Sequence, residues 1–397
     1  MYRLLNTGHA TGDRPDLLII IRIKDVKEFL YKNWEELAGR YDWIADMHGV
    51  PQDAVHHAEG DVATHTQMVV KELVGLKEYQ NLREEEKAIL WIAALLHDVE
   101  KRSTTYQETD GSIVSPGHAK KGALTARQIL FKQFDVPFET REQIVGLVRH
   151  HGLPLWVFHK PDPQKALLQA SFEVNTNLVA ILAKADVLGR ICSDQQDLLD
   201  RISFFEEYCK EQRCAGQSYP FTTDLSRFHY FHAEAASVDY LPFDDTTCQV
   251  TLMSGLPGMG KDSYIREHLH GLPVISLDKI RLAHKIKPDD TSANGWVAQQ
   301  AKEQARVYLR AKNDFVWNAT NISKQMRSQL IDLFASYRAR VRIVYVEQPY
   351  KQWKLQNGSR EEMVPTKVLE RMLAKWEVPK LHEAHSLIYV AAARANG

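Results

Sequence analysis

Apolar residues recur at three- and four-residue spacing over 26–37, 66–76, 84–96, 122–134, 142–148 and 178–188. That period lays them along one face of a helix, and few β-branched runs interrupt it, so an all-α bundle is predicted for the first half of the chain. Between 218 and 247 the pattern is irregular and rich in aromatic residues, Asp and Pro, which marks a linker or boundary. Beyond it the period changes. Residues 249–254 read as a buried strand running into a Gly-rich turn, and 273–276, 314–318 and 342–346 are short strand candidates. Helical patterns lie between them at 261–270, 296–311 and 324–337. Strands alternating with helices imply a parallel α/β sheet. The expected division is an all-α domain over 1–217, a boundary at 218–247 and an α/β domain over 248–397.

Length and composition agree with this. The chain has 397 residues, which suits two domains. Its 44% hydrophobic and 25% charged content is that of an ordinary globular protein. A net charge of -1 provides no global basic field, so any nucleic-acid contact must be local. The four cysteines, Cys192, Cys209, Cys214 and Cys248, contain no CxxC pair, which argues against a disulfide framework or zinc ribbon and fits a reducing cytosol. The first 25 residues lack a basic segment followed by a long apolar core, because 17–23 is short and broken by Arg22. No stretch reaches the ~20 apolar residues of a membrane span. A soluble, cytoplasmic protein with no membrane contact is expected.

The helical half holds His65, the doublet His97 and Asp98, His118, the doublet His150 and His151, and Asp186. Imidazole and carboxylate suit divalent transition metals. An ion held there lowers the pKa of a water and draws charge off phosphoryl oxygens. With 17 histidines in the chain, a lone His is more often structural, and His48, His56, His57 and His159 are read as surface residues. The doublet in AALLHDVEK differs, because it ends an apolar helix, where charged groups must be paired or metal-bound. The segments THTQMVV, AALLHDVEK, PGHAKKGA, VRHHG and AKADVLGR together resemble the HD phosphohydrolase superfamily, especially the HD domains found beside tRNA nucleotidyltransferases. The resemblance implies one metal held by His65, His97, Asp98 and Asp186. It implies a second held by His118 and either His150 or His151, with Asp98 bridging. Lys101 and Arg190 would contact the scissile phosphate, and Mn2+, Ni2+ or a similar ion would serve.

In the second half, Gly255, Gly258, Gly260 and Lys261 lie in GLPGMGKDS, which fits G-x-x-x-x-G-K between a strand and a helix. Backbone N–H groups of such a loop wrap phosphates, and the lysine neutralises their charge. Asp262 stands where Ser or Thr is usual, with Ser263 one place later; either is a candidate magnesium ligand. Asp278 and Arg281, in SLDKIR, follow a strand end. An Asp there can take a proton from an acceptor hydroxyl, and the Arg can grip an acceptor phosphate. Read alone, Asp278 is simply a helix-initiating residue. Arg360 precedes Val364 and Pro365 and could reach over transferring phosphates. Trp296, Trp353 and Trp376 could stack on bases but are more often core, and carry no assigned role.

GLPGMGKDS, SLDKIR, WNATN and NGSREEMVPTKVLERMLAKWEVP resemble the kinase module of phage-type 5′-hydroxyl polynucleotide kinases. That resemblance implies that Lys261 binds ATP or another NTP with Mg2+, Asp278 is the general base, Arg281 holds the acceptor phosphate and Arg360 is the lid arginine. The family often has a further lid arginine where this chain has Gly358, and Arg371 could substitute. Both modules in one chain resemble the bacterial HD-Pnk end-healing enzymes. These phosphorylate 5′-OH ends and remove 2′-, 3′- or 2′,3′-cyclic phosphate from RNA or DNA, leaving ends that a ligase can join. The alternatives are an HD nucleotidase joined to a nucleoside or metabolite kinase, and a nucleotide-sensing regulator with degenerate sites.

Overall fold

The computed structural model describes residues 2–6, 34–134, 136–287, 290–359 and 363–392. The chain divides into two compact units, Asp13–Pro220 and Met1–Gly12 with Phe221–Gly397.

The strand β1 (Tyr2–Asn6) belongs to the second unit. In the first, the longer helices are α1 (Trp34–Arg40), α2 (Val62–Gly75), α3 (Glu84–Leu96), α4 (His118–Gln133), α5 (Phe138–His150), α6 (Pro163–Ser171), α7 (Thr176–Leu188) and α8 (Gln195–Glu211). A two-stranded hairpin of β2 (Tyr106–Gln107) and β3 (Ile113–Val114) precedes α4. Local chemistry sets the helix starts. Asp61 accepts from Thr64 N to begin α2, Asn175 accepts from Asn177 N and Leu178 N at α7, and Asp162 caps α6 ahead of Pro163. Residues 26–33 of the first expected stripe lie outside the described residues; the other apolar stripes expected from sequence meet in one core, including Val69, Leu73, Leu90, Leu96, Leu147, Val148 and Leu182. Burying each such side chain contributes roughly 1.5–3 kcal/mol. Gly189 closes this core. A Cβ there would lie 2.8 Å from Val69 N and 2.7 Å from Val69 Cγ2, so only glycine lets the end of α7 rest on the α2 backbone.

After β1 the second unit resumes with α9 (Asp224–His232) and continues through β4 (Cys248–Ser254), α10 (Lys261–His268), β5 (Val274–Ser276), α11 (Leu277–Ala283), α12 (Thr291–Arg310), β6 (Phe315–Asn318), α13 (Lys324–Ala335), β7 (Ala339–Glu347), α14 (Tyr350–Gly358), α15 (Thr366–Leu373) and β8 (Ser386–Ala392). Its sheet has the order β1-β8-β7-β4-β6-β5. Strands β8, β7, β4, β6 and β5 are parallel, and β1 pairs antiparallel with β8, Leu4 opposite Val390. The architecture is therefore a helical domain followed by an α/β domain with a five-stranded parallel sheet.

Two expectations change. Residues 1–217 are not wholly helical, because β1 pairs along the edge of the α/β sheet. The segment 218–247 is not wholly irregular either, since it contains α9. Thr223 caps that helix by accepting from Ser226 N, and the aromatic run supplies its buried face. Phe228 stacks on His385 at 3.7 Å between ring centroids, and Arg227 donates to His385 O at 2.6 Å.

Candidate functional site

In the helical domain α2, α3, α4, α5 and α7 bring six of the named ligands together. His97 closes α3 and Asp98 follows it, while His118 opens α4 and His151 closes α5. Asp98 sits at the centre. Its Oδ2 lies 3.2 Å from His97 Nε2 and 3.8 Å from His65 Nε2, and its Oδ1 lies 3.4 Å from His118 Nε2 and 3.9 Å from His151 Nε2. Asp186 Oδ1 lies 3.0 Å from His65 Nε2.

The imidazoles share one orientation. His97, His118 and His151 donate from Nδ1 to Ala94 O, Ser115 O and Val148 O at 2.7, 2.7 and 2.9 Å. A carbonyl only accepts, so Nδ1 carries the hydrogen and each Nε2 is a potential ligand aimed at Asp98. His65 Nδ1 lies 2.8 Å from Glu59 Oε1. His65, His97, Asp98 and Asp186 are almost fully buried.

This donor set fits divalent ions. Asp98 belongs both to a group with His65 and His97 and to one with His118 and His151, with ligand atoms within 4.8 Å in each. Among the described residues, buried His97 Nε2 and Asp98 Oδ1 have no hydrogen-bond partner, which buried polar atoms rarely tolerate unless something else binds them. Electrostatics keeps the carboxylates ionised. Burial alone would raise the Asp98 pKa, but Lys101 and His97 outweigh it and hold Asp98 well below the ordinary carboxylate range. Asp186 is likewise held well below that range, because Arg190 and His65 outweigh burial. Burial drives His151 down to about 3, reinforced by the charges of His97 and His118, so it stays neutral and able to ligate.

Of the two residues left open at 150 and 151, only His151 points into the cluster. His150 turns away, its Nε2 2.9 Å from Glu173 Oε2. Lys101 and Arg190 reach the cluster through its carboxylates: Lys101 Nζ is 2.8 Å from Asp98 Oδ2, and Arg190 donates twice to Asp186, at 3.1 and 2.6 Å. His48, His56 and His159 are exposed, as expected of surface residues. His57 is not. It is largely buried, its Nδ1 donates to Glu59 Oε1 at 2.8 Å, and burial lowers its pKa to about 4.

Sequence reasoning missed Glu59. Its side chain is fully covered, and its Oε2 accepts from Ile191 N at 2.9 Å while Oε1 faces His57 and His65. Burial would raise its pKa, but the hydrogen bonds from His57, His65 and Ile191 N–H hold it far below its usual value. The only signal was an acid in a His-rich loop just before the helix that carries His65.

In the α/β domain the named residues follow the carboxyl ends of parallel strands, where such sheets bind ligands. The phosphate loop joins β4 to α10, with Gly255, Gly258 and Gly260 at positive φ. At Gly255 a Cβ would lie 2.4 Å from Val346 O, so the loop passes against β7 only because the side chain is absent. Lys261 Nζ donates to Gly255 O and Leu256 O, both at 2.9 Å. Asp262 Oδ1 accepts from Asn318 Nδ2 at 2.7 Å, and Ser263 Oγ lies 3.2 Å from Arg266. Both thus remain candidates at the loop, Asp262 anchored to the end of β6. Asp278 is exposed, accepts from Arg281 at 2.6 Å and follows β5; Arg281 also donates to Asn294 Oδ1 at 2.9 Å. Trp353 and Trp376 are core: Trp353 donates to Pro257 O at 2.7 Å and Trp376 to Tyr345 Oη at 3.1 Å. Trp296 is exposed and so is Arg371, on α15. Arg360 lies outside the described residues.

Known families match at these places. Residues 62–191 match the HD domain and residues 250–379 an AAA domain (AAA_33). The chain joins an HD domain to a P-loop kinase-like domain. The HD ligands and the phosphate loop lie within the matched segments. The multifunctional CCA protein of Azoarcus sp. (strain BH72) is 31% identical over 146 residues, 36% of this chain and 29% of that protein, so the chain spans less than a third of that relative. Among solved structures, a candidate kinase from Chloroflexus aurantiacus j-10-fl has TM-score 0.32 at 15% identity, covering 37% of this chain and 86% of that one. A sugar kinase from Janibacter sp. HTCC2649 has TM-score 0.29 at 18% identity, covering 36% and 85%. Among the described residues no single helix is long and apolar enough to cross a membrane.

Proposed function

We propose that the chain is a bifunctional nucleic-acid end-healing enzyme, with a polynucleotide 5′-hydroxyl kinase in the P-loop domain and a phosphatase and phosphodiesterase acting on 3′-, 2′- or 2′,3′-cyclic phosphate ends in the HD domain. The observation that carries this reading is the pairing of a buried His and Asp cluster with a phosphate loop that has the linked Asp278 and Arg281 behind it. An acceptor that brings its own phosphate gives Arg281 a partner, which a free nucleoside would not.

In the kinase the acceptor 5′-oxygen bonds to the γ-phosphorus of the NTP, the bond from the γ-phosphorus to the bridging oxygen breaks, and the nucleoside diphosphate leaves. Asp278 takes the hydroxyl proton and Lys261 spreads the phosphate charge; Asp262 or Ser263 would hold Mg2+. In the HD domain His65, His97, Asp98 and Asp186 would hold one divalent ion, and His118, His151 and Asp98 a second. Bound ions of this kind activate water and withdraw charge from phosphoryl oxygens. Lys101 and Arg190 fix the two carboxylates and present positive charge to the scissile phosphate. The products are 5′-phosphate and 3′-hydroxyl ends, the substrates a nucleic-acid ligase requires.

Incubation with 5′-OH oligonucleotides, γ-labelled ATP and Mg2+, alongside 3′-phosphorylated oligonucleotides with Mn2+ or Ni2+, tests both halves. Transfer of label and release of phosphate are expected. Absence of transfer across RNA and DNA acceptors, with phosphorylation of nucleosides instead, would replace the reading with a small-metabolite kinase.

A further inference from the structure

Beside the phosphate loop the kinase-like domain carries a face that neither its core nor the loop chemistry requires. Residues 277–287 read LDKIRLAHKIK. Lys279, His284, Lys285 and Lys287 are exposed and Arg281 is half-buried. Asp278 pairs with Arg281, which leaves Lys279, Lys285 and Lys287 as a locally positive run in a chain of net charge -1. Trp296, on the neighbouring α12, is 42% exposed, whereas Trp353 and Trp376 are each 1% exposed. The Trp296 ring meets His284 edge-on, with centroids 4.7 Å apart and planes at 78°. Arg281 lies in the last turn of α11 and His284 is the residue that caps its end. Each reaches α12, Arg281 through Asn294 and His284 through Trp296. An exposed indole therefore stands on the same helix that anchors the guanidinium following Asp278.

Aromatic faces interleaved with Lys and Arg suit single-stranded nucleic acid, whose bases stack while its phosphates meet the cations. A nucleoside or sugar acceptor offers no row of phosphates for the lysines. We propose that this face binds the acceptor strand of a polynucleotide, Trp296 braced by His284 stacking a nucleobase, with Lys285 and Lys287 meeting phosphates beyond the one assigned to Arg281. This inference rests on the polynucleotide-kinase reading above and adds the element that distinguishes a strand from a mononucleotide.

The test is steady-state kinase kinetics of the full chain with 5′-OH oligonucleotides of increasing length and with a nucleoside 3′-monophosphate, for wild type, Trp296→Ala, Trp296→Phe and the pair Lys285→Ala with Lys287→Ala. Trp296→Ala should raise the oligonucleotide KM roughly 5- to 150-fold, the worth of one base stack, with kcat and the ATP KM near wild type. Trp296→Phe should recover most of the loss, which a merely structural role for the indole would not predict. The double lysine variant should flatten the dependence of log KM on log salt by about 1.4, at ~0.7 per phosphate contact on a single strand. If wild type labels oligonucleotides and Trp296→Ala leaves their KM unchanged, or raises the nucleoside 3′-monophosphate KM equally, the strand-binding face is wrong and the kinase reading stands. If wild type labels no oligonucleotide, the kinase reading itself fails and takes this inference with it.

Discussion

Replacing Glu59 with Gln changes one atom and tests how the cluster is held. Glu59 Oε1 faces Nδ1 of both His57 and His65 at 2.8 Å, while Oε2 accepts from Ile191 N at 2.9 Å. His57 Nδ1 and Ile191 N present N–H groups to the carboxylate, and His65 Nδ1 lies at an equal 2.8 Å. A glutamine has one oxygen and one NH2, so either orientation sets a donor against a donor in a site without water access. Leaving a buried donor unpaired costs about 1–3 kcal/mol. One escape is for His65 to keep its hydrogen on Nε2 alone, where Asp186 Oδ1 already lies at 3.0 Å as an acceptor, which removes the lone pair a metal would need. Loss of such an outer partner typically weakens metal binding ~10- to 100-fold, about 1.4–2.7 kcal/mol, and the two estimates agree. The assay is titration of metal-stripped protein with Mn2+ or Ni2+ by calorimetry, with bound metal counted by elemental analysis and kinase activity followed on the same preparation. We expect weaker metal binding and unchanged kinase activity. A Glu59→Gln protein that binds both ions within about twofold of wild type would refute the claim that this carboxylate sets the His65 tautomer.

Asp98→Ala should abolish phosphate release and spare label transfer, and Lys261→Ala should do the reverse; a variant that loses both activities would end the two-site picture. Asp98→Ala also strands Lys101 beside Gln52, so urea titration should show the ~3–5 kcal/mol loss typical of breaking a buried ion pair. Gly189→Ala must displace the α2 backbone at Val69, and is expected to lower HD-domain metal affinity and activity while label transfer persists. Acid should weaken the α/β domain through His385, which burial and the neighbouring Arg340 push down to about 3 and whose Nδ1 accepts from Val341 N at 3.1 Å. The native state holds this ring neutral while the unfolded chain protonates it near 6.5, so the stabilisation is complete above that value and declines as pH falls towards 3. At pH 5 the loss is about 2 kcal/mol. Urea midpoints at pH 7 and pH 5 measure it, and His385→Asn should flatten the difference.

What could be read from sequence and what could not divide on physical grounds. Helix α3 and strand β4 carry their own periodicity, and the groups they position, His97 with Asp98 and the phosphate loop, follow them directly in the chain. The choice between His150 and His151 depends on which direction α5 faces when packed, which Glu173 reveals only in three dimensions. His57 and Glu59 lie in a loop without periodicity, so nothing local announced their burial. Strand β1 was missed because it is defined by pairing with β8 from the far end of the chain, and α9 because its aromatic residues resemble a turn-rich linker until Thr223 and the stack on His385 give them a capped, buried setting.

The antiparallel seam between Tyr2–Asn6 and Ser386–Ala392 makes the HD domain an insertion within the sequence of the kinase-like domain. During vectorial synthesis β1 waits for its neighbour until the whole helical unit and the parallel strands before β8 have been made. A fragment beginning at Phe221 would carry every parallel strand yet leave the backbone of β8 open along one side. Such a fragment should recruit foreign strands and self-associate, so the unit suited to excision as an independent piece is the helical one.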